Sequence, residues 1–421
     1  MKLFRVFIAL TAAFLTACAS DDSLDAAQPL GTEDIPEDEL VEVRLNAAAN
    51  STLTRAAVES DDNGIFELDS IGMFMLARYN QRTNPEEAAL IWNRSNEWAN
   101  WVDNMLTRAT VNDDAGLKSV NLLFRNYNNT RDTAVWYPVG QWYSYRFYGY
   151  YPIQDNSNLS FNKRQRIVHF PKLDGKTDIL WGRSEKADTT DDKEKYAYSA
   201  RYFRQKGYST KYPEVKFRHE LMSFQFAIQG IPDENETEER KFLSANKMSI
   251  DTIIVVNAPV NGDLIVADLD DNDGLLGGNS NDGLMIYDWK NGVGDIGVIG
   301  QPLIDSTKVG YELDGAFSKK QVHNDSVMLV GQRLLLPVID EDAVKAGRGV
   351  YRVRIRLKHE DGTLFDHEKP IDLNFRSSAN KYEAGKCYKI VLQIAGPQHI
   401  TMKASLKNWD DVDEHTALIF D

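Results

Sequence analysis

Short runs with an apolar residue at every second position recur along this chain, while helical spacing is scarce. The clearest is Tyr351 to Leu357, where Tyr351, Val353, Ile355 and Leu357 alternate with arginines. Successive side chains of a strand point to opposite faces, so this period marks a half-buried β-strand. Val41, Val43 and Leu45 repeat the pattern within Val41 to Asn46. Ile71 to Leu76 is almost wholly apolar, as a strand buried on both faces would be. The aromatic-rich stretch from Trp136 to Pro152 also favours a strand. Further candidates are Ile179 to Trp181, Val215 to Ile228, Met248 to Val256, Leu264 to Ala267, Ser326 to Val338, Ile371 to Phe375, Tyr388 to Ile394 and Ile400 to Leu406, with Asp361 and Gly362 as a turn. Asn84, Pro85, Glu86 and Glu87 predict one helix from about Pro85 to Trp92, and Asp342 to Lys345 a helical turn. The expected class is all-β.

The 421 residues are enough for more than one domain. Many short strands over that length predict two tandem β-sandwich domains, divided near residue 214, as 41–214 and 215–421. The net charge of −15 offers no footprint for nucleic acid. The two cysteines, Cys18 and Cys387, make neither a disulfide framework nor a thiolate metal cluster. Cys387 is expected to pack as a small residue in its strand.

Lys2 and Arg5 precede the apolar stretch Val6 to Ala17, which is too short to span a bilayer but suits a signal peptide over residues 1–17. It ends Leu15, Thr16, Ala17, Cys18, which resembles a bacterial lipobox. That resemblance implies acylation of the Cys18 thiol and cleavage before it, and more than one acyl chain gives stable membrane attachment. Ser20, Asp21 and Asp22 look like an acidic surface-export signal. Between Cys18 and Glu42 there are nine acidic residues and no basic one, so residues 18–40 read as a solvated tether.

Catalytic motifs are missing. The seven histidines form no HxH, HxxH or HExxH pattern, and no nucleophile elbow, Walker loop or dinucleotide fingerprint occurs. Asp268 to Gly274 crowds carboxylates, but counting from Asp268 puts Asp273 and Asn279 where an EF-hand needs glycine and glutamate. No metal site and no cofactor are expected, and the chain does not read as an enzyme. In the aromatic strand, Tyr143, Tyr145, Phe147 and Tyr151 share one face while Trp142, Tyr148 and Tyr150 share the other. One face must be core; the other could stack on sugar rings, and core packing is the favoured reading.

Several segments, taken in order, resemble the fimbrillin family, the subunits of type V pili. They are Val43 to Asn46, Leu53 to Ala56, Asp69 to Phe74, Tyr145 to Pro152, Thr177 to Trp181, Lys216 to Met222, Ala384 to Tyr388 and Ala404 to Trp409. Glu220 departs from the family's pattern, where alanine is usual. The resemblance spans nearly the whole chain, though each motif is short. It implies two transthyretin-like β-sandwich domains in tandem. It also implies export as a lipoprotein to the outer membrane, arginine-specific removal of the N-terminal strand (residues 41–55 here), and polymerisation as a strand of the next subunit fills the opened groove.

Arg55, followed by Ala56, lies among small residues beyond the first strand and is the favoured cleavage site. Arg44, inside the strand pattern, is the alternative. Ile400 to Leu406 and the apolar exit His415 to Phe420 are candidate donor strands. The implied partners are other pilus subunits by strand exchange, the outer membrane through the lipid anchor, and a host or bacterial surface ligand. Two other readings stay open: an uncleaved pilus anchor that keeps its first strand, and a monomeric lipoprotein binding glycans through Trp142 and Tyr148.

Overall fold

The computed structural model describes residues 40–49, 67–79, 90–91, 102–114, 117–126, 129–137, 143–161, 165–184, 198–204, 208, 211–231, 248–268, 281–299, 309–312, 327–371, 382–397 and 399–407. The chain is all-β. Its first strands are β1 (Leu45–Ala49), β2 (Leu68–Tyr79), β3 (Leu90–Ile91), β4 (Met105–Asp114), β5 (Leu117–Phe124), β6 (Tyr143–Tyr151), β7 (Leu159–Phe161), β8 (Gln165–Phe170), β9 (Leu180–Ser184) and β10 (Glu214–His219). There follow β11 (Met222–Gly230), β12 (Met248–Pro259), β13 (Gly262–Asp268), β14 (Leu284–Ile286), β15 (Val293–Ile299), β16 (Val309–Glu312), β17 (Met328–Leu336), β18 (Arg352–His359), β19 (Leu364–Pro370), β20 (Cys387–Gly396) and β21 (His399–Lys407). Two short helices, α1 (Ala200–Phe203) and α2 (Glu341–Lys345), start at side-chain caps. Ser199 Oγ accepts from the Tyr202 amide and Asp340 Oδ1 from the Ala343 amide, satisfying first-turn donors that a helix leaves unpaired.

The largest sheet runs β3-β2-β4-β5-β1-β10-β9-β6, and β6 pairs back onto β2, so seven strands close a ring. The long strand β2 makes closure possible: Gly72 is in register with Leu106 of β4 on one edge and with Tyr150 of β6 on the other. Three further sheets have the orders β17-β11-β20-β21, β16-β15-β12-β18-β19 and β14-β13-β8-β7. The last draws β7 and β8 from the first half of the chain and β13 and β14 from the second. Residue 214, the expected division, is the first residue of β10.

Two hydrophobic clusters follow from this layout. One fills the ring with Leu45, Met73, Met75, Leu122, Phe147, Leu180, Val215 and Phe217. The other joins Phe74, Tyr148 and Trp181 to Phe224, Ile253, Leu334, Ile355 and Ile390. Strands β2, β6 and β9 contribute to both, so they form a wall with core on each side. That is the physical reason for the unbroken apolar run Ile71 to Leu76.

The chain leaves the ring through only Glu220 and Leu221, between β10 and β11. The Glu220 amide donates to Ile179 O at 2.9 Å and the Gly385 amide to Leu221 O at 2.8 Å. His219 Nδ1 lies 2.5 Å from Asp178 Oδ2, both side chains wholly buried. Burial pushes the Glu220 carboxyl up to about 7, against the pull of Arg218. Trp181 fixes the same junction: its Nε1 donates to Val266 O at 2.8 Å, and the Arg218 guanidinium lies 4.6 Å from its ring centre. Gly283 (φ +78°) approaches this ring so closely that a Cβ there would fall 2.6 Å from it.

Several sequence expectations need correction. Leu90 and Ile91, expected at the end of a helix, form β3 with Ala77 and Arg78; Pro85 to Ala89 lie outside the described residues. The single run Val215 to Ile228 is two strands in different sheets. Leu364–Pro370 forms a strand that the sequence reading did not place, ending where proline removes a ladder donor; of the strand expected from Ile371 to Phe375, Ile371 follows this strand and residues 372–375 lie outside the described residues. The turn at Asp342 to Lys345 is observed as α2, and Cys387 is a free, buried thiol.

Candidate assembly site: the inserted N-terminal strand

Strand β1 enters the ring as an interior member. It runs antiparallel to β5, with Leu45 opposite Leu122, and parallel to β10, with Ala47 opposite Val215. The segment before it is held too. The Val43 amide donates to Val135 O at 2.7 Å, the Tyr137 amide to Val41 O at 2.8 Å, and the Asn46 amide to Pro213 O at 2.9 Å. The ladder therefore begins later than the expected Val41 to Asn46, but the alternation holds. Val41, Val43, Leu45 and Ala47 are all under 7% exposed, while Arg44 on the opposite face is open.

The inward residues join Val120, Leu122, Phe124, Tyr137, Phe147, Tyr202, Phe203, Val215 and Phe217. Tyr137 packs against Phe203 at 5.2 Å between ring centres and edge-on to Phe147. Burial raises the Tyr137 phenol well above its ordinary value, as expected for a hydroxyl enclosed among rings. Burying two valines and a leucine is worth roughly 5–9 kcal/mol at 1.5–3 kcal/mol each, an upper figure. That is comparable with the whole net stability of a typical domain, about 5–15 kcal/mol. Without β1, β5 and β10 would present unpaired backbone edges above an uncovered apolar floor.

Arg44 Nε donates to Glu42 Oε2 at 2.7 Å, and its guanidinium lies 5.9 Å from the Tyr212 ring centre. The Glu42 bond raises its pKa. Its side chain is reachable, but its backbone is clamped between pinned Val43 and paired Leu45. Arg55 and Ala56 lie outside the described residues, as do Cys18 and residues 408–421. Of the candidate donors, Ile400 to Leu406 is placed: it belongs to β21, which among the described residues is an edge strand paired with β20.

The aromatic strand β6 is buried on both faces. Tyr145, Phe147 and Tyr151 face the ring cluster, and Tyr148 and Tyr150 the other. Tyr148 is 1% exposed, so a sugar platform at Tyr148 is overturned; Trp142 lies outside the described residues. Asp268, at the head of the carboxylate-rich loop, accepts from Gln165 and Asn281 side chains; the rest of that loop, 269–280, lies outside the described residues. Among the described residues no group of three His, Cys, Asp or Glu could hold a metal ion. Sequence reasoning missed β4 and β5, which supply one wall of the slot. The signal was present: Thr107, Ala109 and Val111 alternate before the turn residues Asp114 to Gly116, and Val120, Leu122 and Phe124 after it.

No family model matches the chain, and no curated protein matches it. Solved structures similar to it include a candidate cell adhesion protein from Bacteroides uniformis, at 13% identity and a TM-score of 0.42, covering 89% of this chain and 100% of that one. The fimbrial anchor protein from Porphyromonas gingivalis matches at 9% identity and a TM-score of 0.34, over 88% of this chain and 98% of that one. A fimbrilin from Porphyromonas gingivalis matches at 10% identity and 0.33, over 87% and 96%.

Proposed function

We propose that the protein is a structural subunit of a type V cell-surface pilus, working by strand exchange rather than catalysis and supporting adhesion. The observation that carries this reading is the position of β1: an interior strand of a closed ring that is also the first strand in chain order among the described residues. Taking it out would create the kind of groove that captures an extended strand from another chain. In this reading Cys18 carries the lipid that brings the precursor to the outer membrane. Cleavage falls between Arg55 and Ala56 rather than after Arg44, because a protease cleft needs an unpaired backbone and Arg44 sits between the hydrogen-bonded Val43 amide and the first residue of β1. The two hydrophobic clusters correspond to two transthyretin-like sandwiches, meeting near Glu220 and Leu221.

The intact mass and N-terminal sequence of the protein recovered from its own cell surface test this. A start at unacylated Ala56, in high-mass assemblies, is the expected outcome for a polymerising subunit. A start at acylated Cys18 would assign β1 a permanent place and make the protein an anchor, and a start at Leu45 would overturn the choice of Arg55.

A further inference from the structure

Away from the ring, a cavity of about 280 Å³ opens between the end of β12, Trp289 and the loop that joins α2 to β18. Its lining runs against the charge of the chain: Arg348 and Arg352 contribute, and no Asp or Glu does, in a protein of net charge −15. Arg352 is spoken for, donating to Glu368 Oε1 at 2.7 Å. Arg348 is not: its side chain makes one hydrogen bond, 3.2 Å to the Asn257 carbonyl, and no carboxylate pairs with it among the described residues.

Asn257 holds a left-handed backbone (φ +55°), fixed by its amide donating to Asp295 Oδ1 at 3.1 Å. Its side-chain amide makes no hydrogen bond among the described residues. Asparagine adopts that region more readily than other side-chain-bearing residues. Trp289, which also lines the cavity, has a buried indole N–H without an acceptor among the described residues. The Tyr351 hydroxyl is already committed to Pro337 O at 2.9 Å. The unused polar groups are thus mainly donors, beside an apolar wall of Val350, Tyr351 and Trp289.

We propose that this cavity binds a carboxylate-bearing sugar residue. The guanidinium fork of Arg348 suits a planar carboxylate, which it can engage by two parallel hydrogen bonds. The Asn257 amide supplies a further donor, and the apolar wall suits the C–H faces of one pyranose ring. The volume lies just below that of pockets for drug-sized ligands, which fits a single ring rather than an oligosaccharide. The site is independent of β1 and does not rest on the assembly reading.

Titration of the full chain at neutral pH with D-glucuronate, D-glucose and acetate, followed by calorimetry and ligand-observed NMR, tests it. Saturable binding of glucuronate is expected, about tenfold or more tighter than of glucose or acetate. Arg348→Gln, which removes the fork, and Val350→Trp, which fills the cavity, should each abolish it at unchanged melting temperature. Absence of saturable glucuronate binding would overturn the proposal. So would equal binding of glucose or acetate, or glucuronate affinity unchanged in Arg348→Gln.

Discussion

The two ends of the described chain, β1 and β21, carry similar alternating sequences and meet opposite fates. In β1 and the segment leading into it, every second side chain from Val41 to Ala47 is buried. In β21 Ile400 is buried, Met402 and Ala404 are half-buried, and Thr401, Lys403 and Ser405 face solvent. The difference lies in neighbours. β1 has a strand on each side and a second layer of rings above it, whereas among the described residues β21 has β20 alone. Alternation therefore specifies which face turns inward, and topology specifies how much that face is worth.

Truncation should separate the two most sharply. Leu45→Ala is expected to cost about 2–5 kcal/mol, the range for a fully buried leucine, and Met402→Ala about 1 kcal/mol, read from urea unfolding midpoints at constant slope. Equal costs would break the comparison. Hydrogen exchange should rank next: the Asn46 amide, bonded to Pro213 O inside the ring, should exchange only through large-scale opening, and amides of β21 sooner.

The junction beside β1 adds a pH signature. The Glu220 carboxyl is about 7 in the folded protein, above its ordinary 4.5, so the folded state holds this proton more tightly than the unfolded chain. The stability it contributes is present below pH 4.5 and is lost as pH rises to about 7. Glu220→Gln should therefore gain on the wild type across that window, by up to about 3 kcal/mol at pH ~8, in paired melts spanning roughly pH 4.5 to 8. A constant offset would show that the carboxyl does not titrate there. The smallest effect belongs to the outer face of β1: Arg44→Ala should stay within about 1 kcal/mol of wild type, because its Glu42 pair is solvated.

How much of this was legible in the sequence depended on whether the determining contacts were local. The alternation of Val41, Val43 and Leu45, the cap before α2 and the strand Tyr388 to Ile394 are written in neighbouring residues. The division of aromatic side chains between the faces of β6 was legible as well. That both faces would be covered was not, because the second cover comes from strands beyond residue 220. The break at Glu220 and Leu221 carries no glycine or proline; it is set by backbone bonds to Ile179 and Gly385, distant in sequence. The slot around β1 was half legible for the same reason: its filler alternates visibly, but a parallel partner at β10 cannot be inferred from a segment so far along the chain. The cavity beside Arg348 was invisible, since Asn257, Trp289 and Arg348 carry no shared motif.

The route of the chain into and out of the ring has a mechanical consequence. Tension applied along β1 from its N-terminal end acts parallel to the strand, so its cross-links to β5 and β10 are loaded in shear, all together. Rupture then requires the whole set to fail at once, whereas an edge strand pulled sideways peels one link after another. A fibre whose joints were built on such a slot would stretch little and resist sudden pulling far better than slow, sideways fraying.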